Sequence, residues 1–329
     1  MNAATSRNLT IAFFGLLAFG AVSPLLFMGS KLAPWLEVIL GGLMSGVLYS
    51  LVALGLVLIF KASGVFNFAQ GAMVLFAALS LVRLMEKMPF ILALAVTIAI
   101  MVALAWLIER LVLRPLVNQE PIVLFMATLG VAYFIDGFGQ TVWGSDIYTL
   151  HVGMPKEPKI LFESTFEGGI LVSMEDVIAS ILAAVMVAAL WLFFQKTGTG
   201  RALRAVADDH QAAQSIGIPL NRIWVIVWSV AGLVALVAGV IWGSKLGVQF
   251  SLQLVALKAL PVVILGGFTS IPGAIIGGLI IGLGEKVSEV YLGPTLGGGI
   301  ENWFAYVLAL VFLIFRPEGL FGERHIDRV

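Results

Sequence analysis

The side chains that most often carry enzyme chemistry are few and scattered in this sequence. Cysteine is absent, which excludes disulfides, thiolate metal sites and cysteine nucleophiles. The three histidines, His151, His210 and His325, lie in three separate polar segments. No Ser-His-Asp arrangement or HExxH zinc motif is present. The glycine clusters at 198–200 and 266–267 lack the lysine of a GxxxxGK[ST] nucleotide loop. The sequence therefore argues against an enzyme and against ATP binding by this route.

Two amide side chains, Asn67 and Gln70, lie beside glycines at which a helix can break, Gly64 and Gly71. Such amides can hydrogen-bond a zwitterionic solute, or they can satisfy backbone groups that a helix break sets free. The sequence supports both roles equally. Asn67 and Gln70 are therefore candidate residues of a solute pathway.

Ionisable side chains inside apolar stretches form a second group of candidates, because a charge in hydrocarbon is costly and usually faces a cavity or a partner. Glu285 and Glu289 are one helical turn apart and so share a helix face. For Lys258, Lys286 and Glu289 the sequence favours a structural ion pair or a solvated helix end. Glu285 is kept as a candidate pathway residue.

Asp136 is the most informative of these groups. It lies in the apolar string TLGVAYFIDGFGQ, between Gly130 and Gly137 and near the middle of the predicted span. A polar residue at that depth could line a conduit. Asp136 is therefore a further candidate pathway residue.

The polar segment 195–222, QKTGTGRALRAVADDHQAAQSIGIPLNR, has the pattern of a short amphipathic helix over residues 201–216. Thr199 is placed to cap its first turn, and Gly217 with Pro219 is placed to end it. The residues that recur at helical spacing on its apolar face are Leu203, Val206, Ala207, His210, Ala213 and Ile216. The helix is expected to lie along the membrane surface.

Two roles are open to such a surface helix. It could rest on lipid headgroups, where Arg201 and Arg204 would meet anionic lipid. It could also dock on another protein. The acidic pair Asp208 and Asp209 favours docking, because an anionic membrane would repel it.

Composition indicates the solvent in which these elements lie. Of the 329 residues, 60% are hydrophobic and 12% charged, against about 25% charged in an average soluble domain. The mean hydropathy is +1.05. With 19 basic and 19 acidic residues the net charge is zero, so nothing suggests nucleic acid as a partner. The sequence predicts an all-α, polytopic integral membrane protein.

Apolar windows bounded by charges, Pro and Gly predict about ten membrane helices. These are 9–28, 36–60, 64–82, 90–113, 121–143, 174–194, 223–242, 252–268, 271–291 and 301–316. The glycine-rich stretch 266–278 could instead form a re-entrant element, which leaves a count of eight open. The whole chain, 1–329, is expected to form a single membrane domain.

Basic residues fix the expected orientation, because Lys and Arg accumulate in cytoplasmic loops. With both termini inside, the cytoplasmic segments hold Arg7, Lys61, Arg110, Arg114, Lys196, Arg201, Arg204, Arg222, Arg316, Arg324 and Arg328. The opposite side holds Lys31, Arg83, Lys87, Lys156, Lys159 and Lys245. Loop 144–173 is then a structured external loop, and segment 195–222 is cytoplasmic.

Several strings resemble the branched-chain amino acid permease family of bacterial ABC importers, and they occur in that family's order. They are GVLYSLVALGLVLIF (46–60), GVFNFAQGAMVLFAAL (64–79), ERLVLRPL (109–116), TGTGRALRAVADDHQAAQSIGI (197–218), LKALPVVILGGFTSIPGAIIGGLIIGLGE (257–285) and FRPEGLFG (315–322). The resemblance covers most of the chain from about residue 40 onward. The charge of Asp136 departs from the uncharged polar residue that is common there in the family.

The resemblance implies a permease subunit of the inner membrane that works with a second homologous permease chain, cytoplasmic ABC ATPase subunits and a periplasmic solute-binding protein. It implies no cofactor in this chain, with ATP and Mg²⁺ on the ATPase. Segment 195–222 would be the docking site for that ATPase, through Arg201, Arg204, Asp208, Asp209, Ala212, Ala213 and Gly217, with its apolar face in an ATPase groove.

The solute stays open between branched-chain and other amino acids, urea or amides, and carboxylic acids. An ion-coupled secondary transporter is the alternative from a different class.

Overall fold

The computed structural model describes residues 3–27, 31–116, 119–166, 168–208 and 210–322. Its α-helices are α1 Ala3–Phe27, α2 Leu32–Ser63, α3 Gln70–Met85, α4 Phe90–Ile108, α5 Pro121–Trp143, α6 Met174–Lys196, α7 Gly198–Asp208, α8 His210–Ser215, α9 Leu220–Leu246, α10 Val255–Gly266, α11 Ile271–Leu296 and α12 Phe304–Phe315. A π-helical turn, Glu109–Leu113, extends α4, and 3₁₀ turns lie at Arg114–Leu116, Phe250–Leu254 and Ile300–Asn302.

Ten of these helices are apolar, in the predicted order. Seven are long and apolar enough to cross a bilayer, and three are shorter: Gln70–Met85, Phe250–Gly266 and Phe304–Phe315. The all-α, polytopic membrane fold is thus confirmed for the described residues. The first of the short helices, α3, rises about 24 Å, less than the roughly 30 Å of a hydrocarbon core.

The predicted start of α3 is wrong by six residues. A helix was expected from residue 64, but 64–69 is non-helical and α3 begins at Gln70. Gly64 takes a positive φ of 69°, and Asn67 Oδ1 accepts a hydrogen bond from Ala69 N at 3.0 Å. A side chain that bonds the backbone two residues on stabilises a turn in competition with the helix. The apolar pattern gives no sign of that competition.

By backbone contacts the described chain divides into two compact units, each made of separate segments. One unit comprises Met1–Ala53, Met154–Leu182 and Lys258–Val329, and the other comprises Leu54–Gly153 and Ala183–Leu257. Helices α2, α6 and α10 each contribute to both units. The unit that contains the N-terminal residues is called unit 1 below, and the other is called unit 2.

In unit 1, α2 packs against α11 through glycines. A Cβ placed on Gly46 would lie 2.7 Å from the carbonyl oxygen of Gly278, and one on Gly282 would lie 2.5 Å from Gly46 Cα. Ser50 Oγ donates to the carbonyl of Ile275 on α11 at 3.1 Å. Small residues and a hydroxyl hold helices together in lipid, where the hydrophobic effect does not.

The C-terminal part of unit 1 shows how the glycine-rich stretch 266–278 is built. Helix α10 ends at Gly266, and Ser270 Oγ then caps α11 by accepting from Gly273 N at 3.0 Å. Leu320 N, beyond α12, donates to Leu265 O at 2.8 Å. The C-terminal ends of α10 and α12 therefore lie beside each other. Helix α11 thus leads away from this point, and α12 leads back to it.

Unit 1 also contains a small hairpin within loop 144–173. Strands β1 Pro158–Leu161 and β2 Ile170–Ser173 pair antiparallel, with Pro158 opposite Ser173. Ile170 and Val172 are buried against Ala33 of α2, and Leu171 N donates to Glu37 at 2.5 Å. The loop is structured because its alternating apolar positions pack on the start of α2.

In unit 2, α3 is the central helix. It packs against α9 and α5, and every residue from Gln70 to Val82 is buried. A Cβ on Gly239 of α9 would lie 2.7 Å from Val74 O. Because protein surrounds α3, this short helix is not exposed to lipid. Of the non-helical residues before it, Val65, Asn67 and Ala69 are buried and Gly64 is exposed.

Candidate functional site

The candidate amides Asn67 and Gln70 lie together in unit 2 and are fully buried. Asn67 Nδ2 donates to Gln70 Oε1 at 3.2 Å, and Gln70 Nε2 donates to Ala231 O of α9 at 3.3 Å. A Cβ on Gly55 of α2 would lie 2.6 Å from Gln70 Nε2, so only glycine leaves room for this amide. The pair links the break before α3 to α9 and to the end of α2.

Two further side chains hold the same break, and neither was singled out from the sequence. Thr128 Oγ1 of α5 donates to Phe66 O at 3.1 Å. Trp224 Nε1 of α9 donates to Ala62 O, at the end of α2, at 3.2 Å. Each bond satisfies a carbonyl that the missing helical turn leaves free. A lone Thr or Trp in an apolar helix carries no signal of such a distant partner.

Asp136 is half-buried on α5, in unit 2. Its Oδ1 atom is buried and has no hydrogen-bond partner among the residues that the structure describes. Its helix neighbours Tyr133 and Gln140 are exposed. The carboxylate therefore lies at the edge of an exposed helix face, with one oxygen unpaired.

Glu285 lies in unit 1, on α11, and is 4% exposed. Lys258 Nζ of α10 lies 3.7 Å from Glu285 Oε1 and donates to Glu301 O at 3.0 Å. The buried side chain of Tyr49, on α2, also hydrogen-bonds the Glu285 carboxylate. Glu285 Oε1 has no hydrogen-bond partner among the described residues, so the ion pair with Lys258 is what compensates its buried charge.

Glu289, one turn beyond Glu285, caps the turn before α12. Its Oε1 accepts from Gly299 N at 3.1 Å and its Oε2 accepts from Glu301 N at 3.0 Å. The structural role favoured for Lys258 and Glu289 from the sequence agrees with these contacts. Lys258 and Glu289 thus both hydrogen-bond the same short segment, 299–301.

The segment 195–222 is helical over Gly198–Asp208 (α7) and His210–Ser215 (α8), on either side of Asp209, where a helix was predicted over 201–216. The cap is Thr197, whose Oγ1 accepts from Gly200 N at 3.1 Å, and the prediction of Thr199 as the cap is wrong. A Cβ on Gly200 would overlap the Phe194 backbone, so the turn into α7 is tight. Gly217, with φ of 87°, ends the segment as predicted.

The apolar face of this segment packs against its own chain. Leu203, Val206 and Ala213 are buried, and α7 contacts α9. Arg204 Nη1 donates to Phe194 O, which ties α7 back to α6. This differs from the expectation that the apolar face fills an ATPase groove. Ile216 was placed on that face, yet it follows the last turn of α8 and is 74% exposed.

The outward face of the segment is formed by other residues. Arg201, Asp208, Ala212 and Gly217 are exposed. Asp209 and the side chain of His210 lie outside the described residues, as do Arg324 and Arg328 from the orientation argument. Within the described ranges, no group of three or more His, Asp or Glu is placed to hold a metal ion.

Comparison with known proteins identifies the family. The family model described as "Branched-chain amino acid transport system / permease component" matches residues 38–316. The chain is 27% identical to the high-affinity branched-chain amino acid transport system permease protein BraD of Pseudomonas aeruginosa, over 90% of this chain and 98% of that one. It is 28% identical to LivH of Escherichia coli, over 92% and 100%.

A third relative is also similar over most of its length. The probable branched-chain amino acid transport permease protein LivH of Methanocaldococcus jannaschii is 30% identical, over 86% of this chain and 91% of that one. The matched region runs from within α2 to just beyond α12 and so includes the helix break, Asp136, the Glu285 cluster and α7–α8. The chain is a multi-pass membrane protein that belongs to the branched-chain amino acid transport system permease family.

Proposed function

We propose that this chain is a membrane-spanning subunit of an ATP-driven importer that moves branched-chain amino acids, or related small solutes, across a bacterial inner membrane. The proposal rests on one observation, the family match over residues 38–316. In this assignment ATP and Mg²⁺ bind separate cytoplasmic ATPase subunits. A second homologous permease chain and a periplasmic solute-binding protein complete the importer.

The exposed face of α7 and α8 is the proposed docking site for the ATPase. Arg201, Asp208 and Ala212 are exposed on it, and Asp209 follows α7 directly. Arg204 and Ala213 face inward and serve to hold the segment on its own chain. A segment fixed in this way can transmit a push from the ATPase to α6 and α9.

The pathway candidates divide by their environment. Asn67, Gln70 and Glu285 are buried among polar partners from neighbouring helices, and we assign them the structural role of holding those helices in place. Asp136 borders an exposed face, and we assign it to the pathway. Both termini are assigned to the cytoplasm on the distribution of Lys and Arg.

Reconstitution tests the transport function. Proteoliposomes that contain this chain, its second permease chain and its ATPase subunits, with binding protein outside and ATP inside, should accumulate radiolabelled leucine. Excess isoleucine or valine should compete, and urea or a simple carboxylic acid should not. Uptake by this chain alone under an ion gradient without ATP would instead favour a secondary transporter, and would refute the proposal.

Charge reversal tests the docking face. Replacing Asp208 and Asp209 together by Lys should reduce the amount of ATPase that copurifies with the permease, because attractive contacts at the rim of an interface become repulsive. Glu163→Lys, in the exposed part of loop 144–173, is the matched control and should leave copurification unchanged. Normal ATPase binding and uptake by the double variant would exclude docking through Asp208 and Asp209.

A further inference from the structure

Three membrane-spanning helices, α4, α5 and α6, are largely uncovered by the rest of the chain. Only 28%, 22% and 22% of their most apolar windows are buried, respectively. On α4 every exposed residue is apolar, and on α6 the same holds for residues 181–192. Such surfaces match lipid hydrocarbon. Helices α4 and α6 therefore provide an internal reference for a lipid-facing surface.

The exposed face of α5 is different. Tyr133 is 77% exposed, and Gly137, Gln140 and Thr141 are exposed as well. Tyr133, Gly137 and Gln140 are separated by four and three residues, so they form one stripe on the helix. The stripe lies in the half of α5 that leads to Trp143, where the exposed apolar residues Phe134, Phe138 and Val142 lie beside it. The exposed large side chains of the first turns, Ile122, Val123 and Met126, are all apolar.

Asp136 borders this stripe. It is three residues after Tyr133 and four before Gln140, which makes it a neighbour of both on the helix surface. Its buried Oδ1 has no hydrogen-bond donor among the described residues. An unpaired carboxylate within a membrane span is costly. The Asp136 side chain as a whole is partly exposed, so a polar occupant of this face would supply a donor that hydrocarbon cannot.

We propose that the polar stripe of α5 lines the aqueous route of the solute, and that Asp136 binds the ammonium group of an amino-acid solute as it passes. This inference rests on the proposed function and narrows it. An ammonium group carries the opposite charge and three hydrogen-bond donors, which match the partly exposed carboxylate of Asp136. A solute with a carboxylate and no amine would be repelled. Amino acids are therefore favoured over carboxylic acids.

The natural absence of cysteine makes a direct test available, because a single introduced cysteine has no background. We would place Gln140→Cys, beside Asp136, in the complete importer in proteoliposomes, and Val185→Cys on the apolar face of α6 as the matched control; Val185 is 62% exposed. Water-soluble methanethiosulfonate reagents with an ammonium or a sulfonate group serve as probes. Leucine uptake is measured before and after labelling.

Gln140→Cys should react and then lose uptake, whereas Val185→Cys should stay unlabelled. The ratio of the labelling rate with the ammonium reagent to that with the sulfonate reagent should be about tenfold or more higher than the same ratio for a free thiol in solution. The carboxylate one helical turn away attracts the ammonium reagent and repels the sulfonate reagent. Adding Asp136→Asn should lower this rate ratio to the value for a free thiol. Adding Asp136→Glu, which keeps the charge, should leave the rate ratio high.

Two results would overturn the inference. Absence of labelling at Gln140→Cys would mean that lipid or a partner chain covers the stripe. Labelling without a charge preference would remove Asp136 from solute recognition. The proposed function has its own test: it is refuted if the unmodified importer shows no ATP-driven leucine uptake. In that case the labelling pattern still tests whether water reaches the exposed face of α5.

Discussion

The buried ion pair between Lys258 and Glu285 allows a quantitative test of how α10 and α11 are held together. Lys258 Nζ and Glu285 Oε1 are 3.7 Å apart, and their side chains are 28% and 5% exposed. At that separation, with an effective dielectric constant of about 20, two unit charges attract by about 4 kcal/mol. Removing one partner of a buried pair typically costs about 3–5 kcal/mol, because the other charge is left uncompensated.

Lys258→Met keeps the length of the side chain and removes its charge, and Glu285→Gln keeps the shape and the capacity to accept from Tyr49. We expect each single variant to lower the free energy of unfolding by about 3 kcal/mol. The double variant should lose much less than the sum, because neither charge is then left alone.

The matched control is the exposed pair Arg83 and Glu86, which are 2.6 Å apart with 34% and 46% of their side chains exposed. Glu86→Gln should lower the free energy of unfolding by less than about 1 kcal/mol, because water screens the pair.

Denaturant unfolding of the purified protein in detergent, followed by tryptophan fluorescence, measures all four variants. Additive losses in the double variant would refute the pairing. Single variants with wild-type stability but impaired uptake would return Glu285 to the solute pathway.

Two further predictions concern packing and orientation. Gly282→Ala should separate α2 from α11 and cost about 1–3 kcal/mol, because the added methyl would overlap Gly46, whereas Gly130→Ala, with no atom within 4 Å of its Cβ, should be tolerated in the same unfolding assay. A cysteine at Ser164 should react with an impermeant reagent added to intact cells, and one at Glu318 should react only after the cells are opened; the reverse pattern would invert the topology.

The sequence predicted the membrane helices well, because their signal is local and depends on composition. The predicted start of α3 was wrong because the turn before it depends on one hydrogen bond, which Asn67 Oδ1 accepts from Ala69 N. The cap of α7 was wrong by two residues, since Thr197 and Thr199 offer the same hydroxyl and only the helix register distinguishes them. Ile216 was misassigned because the periodic pattern continues past the residue at which α8 ends.

The partners of the candidate site residues were beyond the sequence. Lys258 and Glu285 are on different helices, and no spacing rule joins them, although each was recognised as a costly intramembrane charge. The hydrogen bonds from Thr128 and Trp224 to the helix break depend on how α5 and α9 pack in unit 2. Periodicity did predict Leu203 and Val206 on one face, but it could not distinguish burial against the same chain from burial against a partner.

The segmented make-up of unit 1 has a consequence for synthesis. Its parts, Met1–Ala53, Met154–Leu182 and Lys258–Val329, leave the ribosome at the beginning, the middle and the end of translation. All segments of unit 2 have been made by Leu257, before α11 exists to meet Gly46 of α2. Helices α1 and α2 are therefore inserted before α11, and the glycine surface of α2 lacks its α11 partner until the last fifth of the chain is inserted. A nascent chain arrested before Lys258 would lack α11, so its α2 glycine surface would stay exposed and the chain would be a substrate for membrane proteases.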